Sequence, residues 1–302
     1  MDQKRRTFIK TSAAFGLGLS FLGCSSEMAE AVMKSKYTET IGLQLWTVRN
    51  QLEKDFAGTI KKLAAQGFYQ IESMDMEQAK KAAPIAKEAG LKIKSSHILS
   101  AYFTGRWDLR EIDSPRNFDK LIEDAKNLEI EHLVVGYLFD QERSLDDYKK
   151  LSDAFNVEGE KCAKAGITLG YHNHNFEFDK VDGVVPYELM MKTFDPKYAQ
   201  FELDVFWASV AGTDPVELMK RMKGQISLLH LKDKKKGQPN VMDTGDVPEE
   251  AYKELGNGVV DIKSIVKLAE ETGVEYCFIE QDHSPDTMAS TKTSIDWLKK
   301  NV

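Results

Sequence analysis

The segment KEAGLKIKSSH, residues 87–97, joins the end of a predicted helix to a predicted strand. Gly90 stands where a residue in the left-handed conformation commonly closes a helix. The apolar residues Leu91 and Ile93 then alternate with polar ones, which is the two-residue period of a strand. The strand ends on His97. This pattern of a helix, a glycine and a short strand with a polar end decides the fold, because the chain repeats it.

Three other helix ends carry the same glycine signal, at Gln66-Gly67, Ala165-Gly166 and Thr272-Gly273. The predicted strands are Ile41–Trp46, Tyr69–Glu72, Leu91–His97, His132–Gly136, Ile167–His172, Gln200–Asp204, Ile226–Leu231 and Glu275–Glu280. Amphipathic helical patterns fill the gaps between them. Eight such units fit the length of about 250 residues that is typical of one barrel. The sequence therefore predicts an α/β protein whose residues 39–302 form a single (β/α)8 TIM barrel.

An open, doubly wound α/β sheet is the alternative architecture. No glycine-rich phosphate-binding loop follows the first predicted strand, which weakens this alternative. The longest irregular stretch is Lys232–Glu254, directly after the seventh predicted strand. A loop of that length at the carboxyl end of a barrel strand is typically functional.

Composition and charge restrict the classes of partner. The chain has 302 residues, of which 29% are charged, and a formal net charge of −7. This acidic balance argues against nucleic acid as a partner, because phosphate backbones are bound by clustered Lys and Arg. Of the three cysteines, Cys162 and Cys277 are interpreted as small buried hydrophobic residues. Neither a disulfide framework nor a cysteine zinc site is predicted.

Residues 1–24 have the three parts of an export signal. Residues 4–6 are basic, an apolar run covers residues 13–23, and Cys24 follows. The run is too short and too rich in glycine for a helix that spans a membrane. An ordinary amphipathic N-terminal helix is the alternative.

Two short motifs specify the export prediction. The hexapeptide RRTFIK, residues 5–10, resembles the twin-arginine signal, and FLGC, residues 21–24, resembles a lipoprotein cleavage site. The leucine of FLGC stands one position later than is usual. We therefore expect an exported protein, either periplasmic or anchored to a membrane through a lipidated Cys24. A polar tether is predicted over residues 25–38.

Polar residues collect at the ends of the predicted strands. In a (β/α)8 barrel all strand carboxyl ends meet at one mouth, where the active site lies. Trp46 and Gly136 stand at two of these ends. Titratable residues stand at the other six, namely Glu72, His97, His172, Asp204, His230 and Glu280.

Four of these residues form a candidate metal site. His172, Asp204, His230 and Glu280 come from four successive strands and offer two imidazoles and two carboxylates. Mixed nitrogen and oxygen ligands of this kind suit Mn, Co, Zn, Fe or Mg. Each residue alone has a structural alternative, such as a hydrogen-bonded core histidine or an aspartate that caps a helix.

At these positions the chain resembles the xylose isomerase-like TIM-barrel superfamily. That group includes sugar isomerases and epimerases, inosose dehydratase and endonuclease IV. The resemblance covers about residues 41–302. It rests on IGLQLWTVR (residues 41–49), GFYQIE (67–72), LHLKD (229–233) and FIE (278–280).

The resemblance implies a metal held by Glu, Asp, His and Glu from strands five to eight. Asp204, His230 and Glu280 match the last three ligands, and His172 replaces the first Glu. In epimerases of the family the carboxylates of strands five and eight are implied to act as paired acid and base. His172 therefore puts this pairing in doubt. Many relatives also have His where this chain has Trp207, which is expected to stack on a sugar or to pack in the core.

Further roles are predicted from the positions of residues beside the candidate metal ligands. Glu280 and Lys232 are predicted as catalytic residues, with Lys232 as the cation that stabilises an enolate; a solvated loop lysine is its alternative. His174 shares a face with His172 and is the predicted general acid or base, with metal ligation as the alternative. Glu177 is predicted to bind sugar hydroxyls or to orient a histidine.

Three more residues are predicted to contact substrate. Glu72 and His97 are expected to form hydrogen bonds to sugar hydroxyls, or else to belong to a structural polar layer, and Trp46 is expected to contact the sugar. The predicted enzyme is a divalent-metal-dependent carbohydrate isomerase or epimerase that enolises a keto sugar.

Two other functions remain in view. One is a lyase or hydratase acting on 3-keto-glycosides or related oxidised sugars, and the other is an exported sugar-binding lipoprotein without catalysis. Export disfavours a phosphorylated intracellular sugar as substrate. The export signal and the net charge both disfavour DNA repair.

Overall fold

A computed structural model describes residues 35–110 and 112–302. Eight parallel strands, β1 to β8, form a closed barrel. Their bounds are β1 Gly42–Gln44, β2 Gln70–Ser73, β3 Lys92–Ile98, β4 His132–Val135, β5 Thr168–His172, β6 Ala199–Asp204, β7 Ile226–Leu231 and β8 Tyr276–Ile279. The predicted export signal, with Cys24, and the first part of the predicted tether lie outside the described residues.

The strands follow one another around the barrel in sequence order. Gly42 of β1 pairs with Gln70 of β2 on one side and with Phe278 of β8 on the other, which closes the ring. This closure confirms the (β/α)8 prediction. It also excludes the open doubly wound sheet, in which two edge strands would remain without a second neighbour.

Helices connect the strands. The bounds of the twelve α-helices in the described part of the chain are α1 Tyr37–Thr40, α2 Arg49–Lys54, α3 Phe56–Gln66, α4 Met76–Ala89, α5 Ala101–Thr104, α6 Phe118–Asn127, α7 Leu145–Lys164, α8 Pro186–Thr193, α9 Val205–Val210, α10 Pro215–Arg221, α11 Ile262–Thr272 and α12 Thr287–Asn301. The long helices bury one apolar face against the barrel, as Ile60 and Leu63 of α3 show.

Glycine closes helices where the sequence predicts it. Gly67 after α3 and Gly90 after α4 have φ angles of 92° and 80°, in the left-handed region that residues with a Cβ rarely adopt. The Gly90 N–H donates to the carbonyl oxygens of Ala86 and Lys87, which satisfies groups that the helix end leaves free. The chain can therefore turn directly from α4 into β3.

Residues 35–40 pack against the barrel. Tyr37 is fully buried, and its hydroxyl donates to the carbonyl oxygen of Val274 at 2.6 Å. The Ser35 hydroxyl donates to the Glu270 carboxylate at 2.5 Å. Tyr37 is part of the hydrophobic core, so the packing around the barrel includes residues before residue 39.

The long segment after β7 is partly regular. Residues 233–234 pair with residues 252–253 in a short antiparallel ribbon. Asp233 is buried, and its carboxylate accepts hydrogen bonds of 2.9–3.0 Å from three backbone N–H groups within residues 256–260. These bonds hold residues 256–260 next to Asp233, the residue that follows Lys232.

Both cysteines of the described residues are free and fully buried, as predicted. Burial raises the pKa of the Cys162 thiol to about 12, so this side chain behaves as an inert hydrophobic group. Within residues 35–110 and 112–302, no helix has both the length and the apolar character needed to cross a membrane.

Candidate active site at the carboxyl end of the barrel

Strands β6 and β7 each direct two polar side chains toward the barrel axis. Glu202 and Asp204 lie two residues apart on β6, and His230 and Lys232 lie two residues apart at the end of β7. Side chains two residues apart on a strand share a face. The first member of each pair therefore lies one pleat deeper than the second, below the carboxyl-terminal mouth.

The four predicted metal ligands come together. His172, Asp204, His230 and Glu280 each offer a ligand atom, and these atoms lie within 4.8 Å of one another. All four residues are buried. Nδ1 of His230 lies 2.9 Å from a carboxylate oxygen of Glu280 and 3.8 Å from one of Asp204. Strands far apart in sequence thus deliver a mixed nitrogen and oxygen donor set.

Lys232 lies among three carboxylates. Its ammonium is 2.6 Å from Glu280 Oε2, 2.8 Å from Asp282 Oδ2 and 3.0 Å from Asp204 Oδ2. Burial alone would lower the pKa of Lys232, but Asp204, Asp282 and Glu280 outweigh burial and raise this pKa well above its usual value. A permanent cation therefore stands at the predicted position.

Glu202 is the principal site residue that the sequence analysis missed. It is fully buried, and its Oε2 lies 3.0 Å from His97 Nε2, 3.1 Å from His172 Nδ1 and 3.2 Å from His230 Nε2. Burial raises the pKa of Glu202, but the histidines, His230 first, outweigh it and hold this pKa well below its usual value. The available signal was its position two residues before Asp204 on the same strand face.

Glu72, which was predicted to contact substrate, lies away from the cavity. It is fully buried and is not among the residues that line the cavity described below. Its Oε2 lies 2.6 Å from His230 Nε2 and accepts a hydrogen bond from the Gln44 amide at 2.7 Å. Glu72 therefore belongs to the polar layer inside the barrel, which was the structural alternative for this residue.

His97 lies between that layer and the cavity. Its side chain is 15% exposed, and its Nε2 faces the carboxylates of Glu72 and Glu202 at 3.4 and 3.0 Å. Gly136 at the end of β4 leaves room for the ring, because a Cβ at this position would lie 2.2 Å from His97 Nδ1. A glycine at this strand end is thus a requirement of the site.

Two imidazoles at the site are neutral. Burial, and next the positive charge of His230, lower the pKa of His172 to about 3. Burial, and next His172, lower the pKa of His174 well below its usual value. A neutral imidazole is the form that binds metal. Both rings are therefore in the form that a metal ligand or a general base requires at neutral pH, whereas a general acid at His174 would first have to take up a proton.

A cavity of about 740 Å³ opens above these residues. This volume lies within the ~300–1,000 Å³ range of small-molecule sites. Polar and apolar residues line both halves of the cavity: Arg49, Asp75 and Arg110 lie among the residues that follow β1 to β4, and Trp207 and Tyr252 lie among those that follow β5 to β8. Predicted site residues that line the cavity are Trp46, His97, His172, His174, Trp207, Lys232 and Glu280.

The aromatic predictions have different outcomes. Trp46 is 44% exposed at the cavity, with the Arg49 guanidinium 4.2 Å from its ring centroid, so it is accessible to a ligand. Trp207 is buried and packs against His174 with ring centroids 5.1 Å apart. It combines core packing with one face of the cavity wall.

Glu177 supports the site without lining the cavity. It is fully buried, and its carboxylate accepts hydrogen bonds of 2.8 Å from the Tyr171 hydroxyl and from the His174 backbone N–H. Because Glu177 is fully buried and does not line the cavity, the structure gives no direct support to the prediction that it binds sugar hydroxyls. Glu177 holds the segment that carries His174, which agrees with its alternative role of orienting a histidine.

The residues present fit a divalent metal ion. Oε1 of Glu72 and Oε1 of Glu202 are buried without hydrogen-bond partners. Oδ2 of Asp204 also lacks a hydrogen bond, although the Lys232 ammonium lies 3.0 Å away and balances its charge. An unpaired buried polar atom costs ~1–3 kcal/mol, and more when it is charged. A bound cation would relieve this cost.

A closed parallel barrel with histidines and carboxylates gathered under its carboxyl-terminal cavity defines an α/β-barrel protein with a candidate metal centre. Residues 59–301 match the xylose isomerase-like TIM barrel family. The match spans most of the chain, and the protein belongs to this family. The resemblance recognised in the sequence is thereby confirmed.

Similar proteins include dehydratases and isomerases. An inosose dehydratase of Clostridium perfringens is 25% identical over 154 residues, which are 46% of this chain and 49% of that relative. The match thus spans about half the length of this curated relative. A crystal structure of a sugar phosphate isomerase/epimerase from Parabacteroides distasonis has 25% identity and a TM-score of 0.66, covering 93% of this chain and 99% of that one.

A more distant neighbour shares the fold. The IolI protein, solved with a bound zinc atom, is 15% identical with a TM-score of 0.65, and the match covers 87% of this chain and 99% of that chain. At this identity the likeness establishes the barrel architecture alone. The candidate metal residues of this chain therefore have to be argued from their own geometry.

Proposed function

We propose that this protein is a divalent-metal-dependent enzyme that enolises a keto sugar, with isomerisation or epimerisation as the outcome. The observation that carries the proposal is the gathering of His172, His230 and buried carboxylates beside the Lys232 ammonium, at the floor of a cavity of about 740 Å³. Family membership and the likeness to a sugar phosphate isomerase/epimerase support it.

Glu280 is the proposed base. Burial raises the pKa of Glu280, but Lys232 and His230 outweigh burial and hold this pKa well below its usual value. The carboxylate is therefore ionised at neutral pH and can accept a proton from a carbon next to a carbonyl. It lines the cavity, so a bound sugar can reach it.

Lys232 supplies positive charge where the enolate forms. Its ammonium shares the cavity floor with Glu280, and a fixed cation stabilises negative charge that develops on a substrate oxygen. His174 is the proposed second proton-transfer group. Its ring is neutral, and its Nδ1 has no hydrogen-bond partner.

When bound, a divalent ion, whether Mn, Co, Zn, Fe or Mg, would supply Lewis-acid chemistry to a carbonyl and a neighbouring hydroxyl of the substrate. His172 and His230 are the residues common to the two candidate ligand groups at the barrel mouth. The burial that keeps His172 neutral leaves a nitrogen lone pair for the ion. The family resemblance would add Asp204 and Glu280 as ligands, although Lys232 already pairs with both carboxylates.

Elimination is the second candidate reaction. His172 stands where the two-carboxylate epimerase scheme requires a carboxylate, whereas elimination of a β substituent requires one base and one acid. The same enolate would then lose its substituent, as in a lyase or hydratase acting on 3-keto-glycosides. The name of the curated relatives, inosose dehydratase, supports this alternative.

Export is part of the proposal. The paired arginines at residues 5–6 and the cysteine at residue 24 support twin-arginine export and a lipid anchor, with the barrel in the periplasm or at a membrane surface. The proposed substrate is then an extracytoplasmic carbohydrate. An exported sugar-binding lipoprotein would share this location but would leave its ligand unchanged.

The experiment is solvent deuterium exchange followed by NMR. The metal-loaded protein is incubated in D2O with free ketoses and with 3-keto-glycosides. The proposal expects deuterium at the carbon next to the carbonyl, with a sugar isomer as product; an unsaturated product would identify elimination. Sugar binding without exchange or conversion would contradict the enzyme proposal and favour the sugar-binding protein.

A further inference from the structure

Five side chains from five strands converge beneath the outer carboxylates of Asp204 and Glu280. We call them the inner cluster, and they are Glu72 of β2, His97 of β3, His172 of β5, Glu202 of β6 and His230 of β7. One ligand atom from each of His97, His172, Glu202 and His230 lies within 4.8 Å of every other. No other role in the proposed reaction uses Glu202 or Glu72.

The spacing of the inner cluster matches a ligand shell. Glu202 Oε2 lies 3.0–3.2 Å from one nitrogen of each histidine, and Glu72 Oε2 lies 2.6 Å from His230 Nε2 and 3.4 Å from His97 Nε2. Metal–ligand bonds of ~2.0–2.2 Å place neighbouring ligand atoms about 2.9 Å apart in an octahedral shell and about 3.4 Å apart in a tetrahedral one. The measured distances between nitrogen and carboxylate oxygen run from 2.6 to 3.4 Å and so cover the octahedral and the tetrahedral spacing.

Charge also favours a cation in this cluster. Two carboxylates lie inside the barrel, and each keeps one buried oxygen without a hydrogen-bond partner, Oε1 of Glu72 and Oε1 of Glu202. Buried carboxylates are stable only with compensating charge and hydrogen bonds. A donor set of three imidazoles and two carboxylates suits Zn2+, Co2+, Fe2+ or Mn2+.

An ion in the inner cluster and an ion among His172, Asp204, His230 and Glu280 would compete for the ring of His230. His230 directs Nε2 to Glu72 and Glu202, and Nδ1 to Glu280. Burial lowers the pKa of His230, but Glu202, Glu72 and Glu280 outweigh burial and raise this pKa well above its usual value, so the metal-free ring carries a proton on each nitrogen, and an ion would replace one of the two protons. An ion at the inner position takes Nε2 and leaves Nδ1–H to donate to Glu280, which is the usual arrangement of a metal-bound histidine and its carboxylate partner.

The charge of Lys232 also favours an ion in the inner cluster over an ion between Asp204 and Glu280. Its ammonium already compensates Asp204 and Glu280, at 3.0 and 2.6 Å. A dication placed between the same carboxylates would stand against this ammonium, and like charges repel strongly at such distances. The inner carboxylates of Glu72 and Glu202 have no lysine within ion-pair distance among the described residues.

We propose that the divalent ion binds in the inner cluster, one pleat deeper than the family resemblance implies. His97, His172, Glu202 and His230 are its ligands, with Glu72 as a fifth. Asp204 and Glu280 remain free of metal, paired with Lys232 and directed at the substrate. The inference rests on the proposed metal dependence and adds the position of the ion.

X-ray absorption on the Zn2+- or Co2+-loaded wild-type chain tests the position without any variant. The inner cluster predicts three imidazoles around the ion. The outer set of His172, Asp204, His230 and Glu280 predicts two. Two imidazoles would overturn the inner position and leave the metal-dependent function standing.

Matched variants give a second test, with metal affinity measured by competition with a chelator. His97→Gln and Glu202→Gln are expected to weaken Zn2+ binding by more than the ~10–100-fold that loss of an outer-shell partner costs. Asp204→Asn, on the same strand as Glu202, is expected to weaken it by no more than that factor. Circular dichroism checks that each variant folds.

Two results would overturn the inference in distinguishable ways. Affinity lost in Asp204→Asn and kept in His97→Gln would place the ion at the outer carboxylates, with the proposed function intact. A wild-type chain that binds none of Zn2+, Co2+, Fe2+, Mn2+ or Mg2+ would overturn the inner position and the proposed function together.

Discussion

Nζ of Lys232 lies 2.6 Å from Oε2 of Glu280, with both side chains almost fully buried. The residue that follows β7 and the residue that follows β8 thus form an ion pair at the floor of the cavity, where a proposed base lies beside the cation that favours its product. This pair keeps the carboxylate ionised. Substitutions at Lys232 and Glu280 therefore test the proposed mechanism directly.

Replacing Lys232 by methionine should reduce kcat by about 10²–10³-fold, since one preorganised donor to a developing oxyanion typically contributes that factor. Unfolding should also occur at a lower temperature, because three carboxylates lose their shared cation. Steady-state kinetics and thermal unfolding measure both effects. Lys235→Met is the control, since the Lys235 side chain is 46% exposed. Wild-type kcat in Lys232→Met would contradict a catalytic role.

Alanine at Gly136 should displace His97. The added Cβ would lie 2.2 Å from Nδ1 of the ring, closer than real contacts allow, so the imidazole has to move. Metal affinity should then fall in Gly136→Ala as it does in His97→Gln, although Gly136 offers no ligand. Chelator competition compares the two variants. A Gly136→Ala protein with wild-type metal affinity would show that His97 is not a ligand, or that the residues around position 136 shift to make room for the methyl group.

Glu177 should make stability depend on pH. Burial raises the pKa of this carboxyl to about 7, above the value of 4.5 for an unperturbed glutamate. Its stabilising contribution is therefore complete below pH ~4.5 and is lost as pH rises through ~7, with a slope of up to ~1.4 kcal/mol per pH unit. Urea unfolding between pH 5 and 7 measures the slope.

Two variants isolate the effect of Glu177. Glu177→Gln should remove this downward slope, while it lowers stability overall because one of the two hydrogen bonds from Tyr171 and His174 loses its acceptor. Glu249→Gln, with a side chain that is 82% exposed, should leave the slope as in the wild type. Identical slopes in wild type and Glu177→Gln would contradict the raised pKa.

Replacing Trp46 by alanine should weaken substrate binding and leave folding intact. The side chain is 44% exposed at the cavity, so its loss removes a ligand surface and little core packing. We expect KM to rise about tenfold, which corresponds to ~1.4 kcal/mol. Kinetics and thermal unfolding separate the two effects. Val157→Ala, 60% exposed and outside the cavity, is the control.

Local signals in the sequence were sufficient for the barrel. The strand predicted at Leu91–His97 forms at Lys92–Ile98, because glycine closes the preceding helix and alternation marks the strand. The first strand is shorter than Ile41–Trp46. It ends at Gln44, whose side chain accepts the Trp46 N–H and starts a 3-10 turn. A hydrogen bond of this kind leaves the alternation of polar and apolar residues unchanged, so the sequence pattern did not predict where the strand ends.

The site was predictable in part. Residues at strand ends were correctly expected to converge, and His172, Asp204, His230 and Glu280 do so. Glu202 was missed because only residues at or next to the end of each strand were considered, whereas every second residue of a strand faces the barrel interior. Whether Glu72 reaches the cavity depends on how other side chains fill the barrel above it. One strand alone contains no information about that packing.

The most direct test of the central claim is the rate of solvent proton exchange into a keto sugar before and after metal removal. The wild-type chain is stripped with a chelator, assayed in D2O, and then titrated with one divalent ion. We predict that exchange disappears on stripping and returns with about one ion per chain, and that Glu280→Gln stays inactive when loaded. Exchange at an undiminished rate in the stripped protein would contradict metal-dependent enolisation.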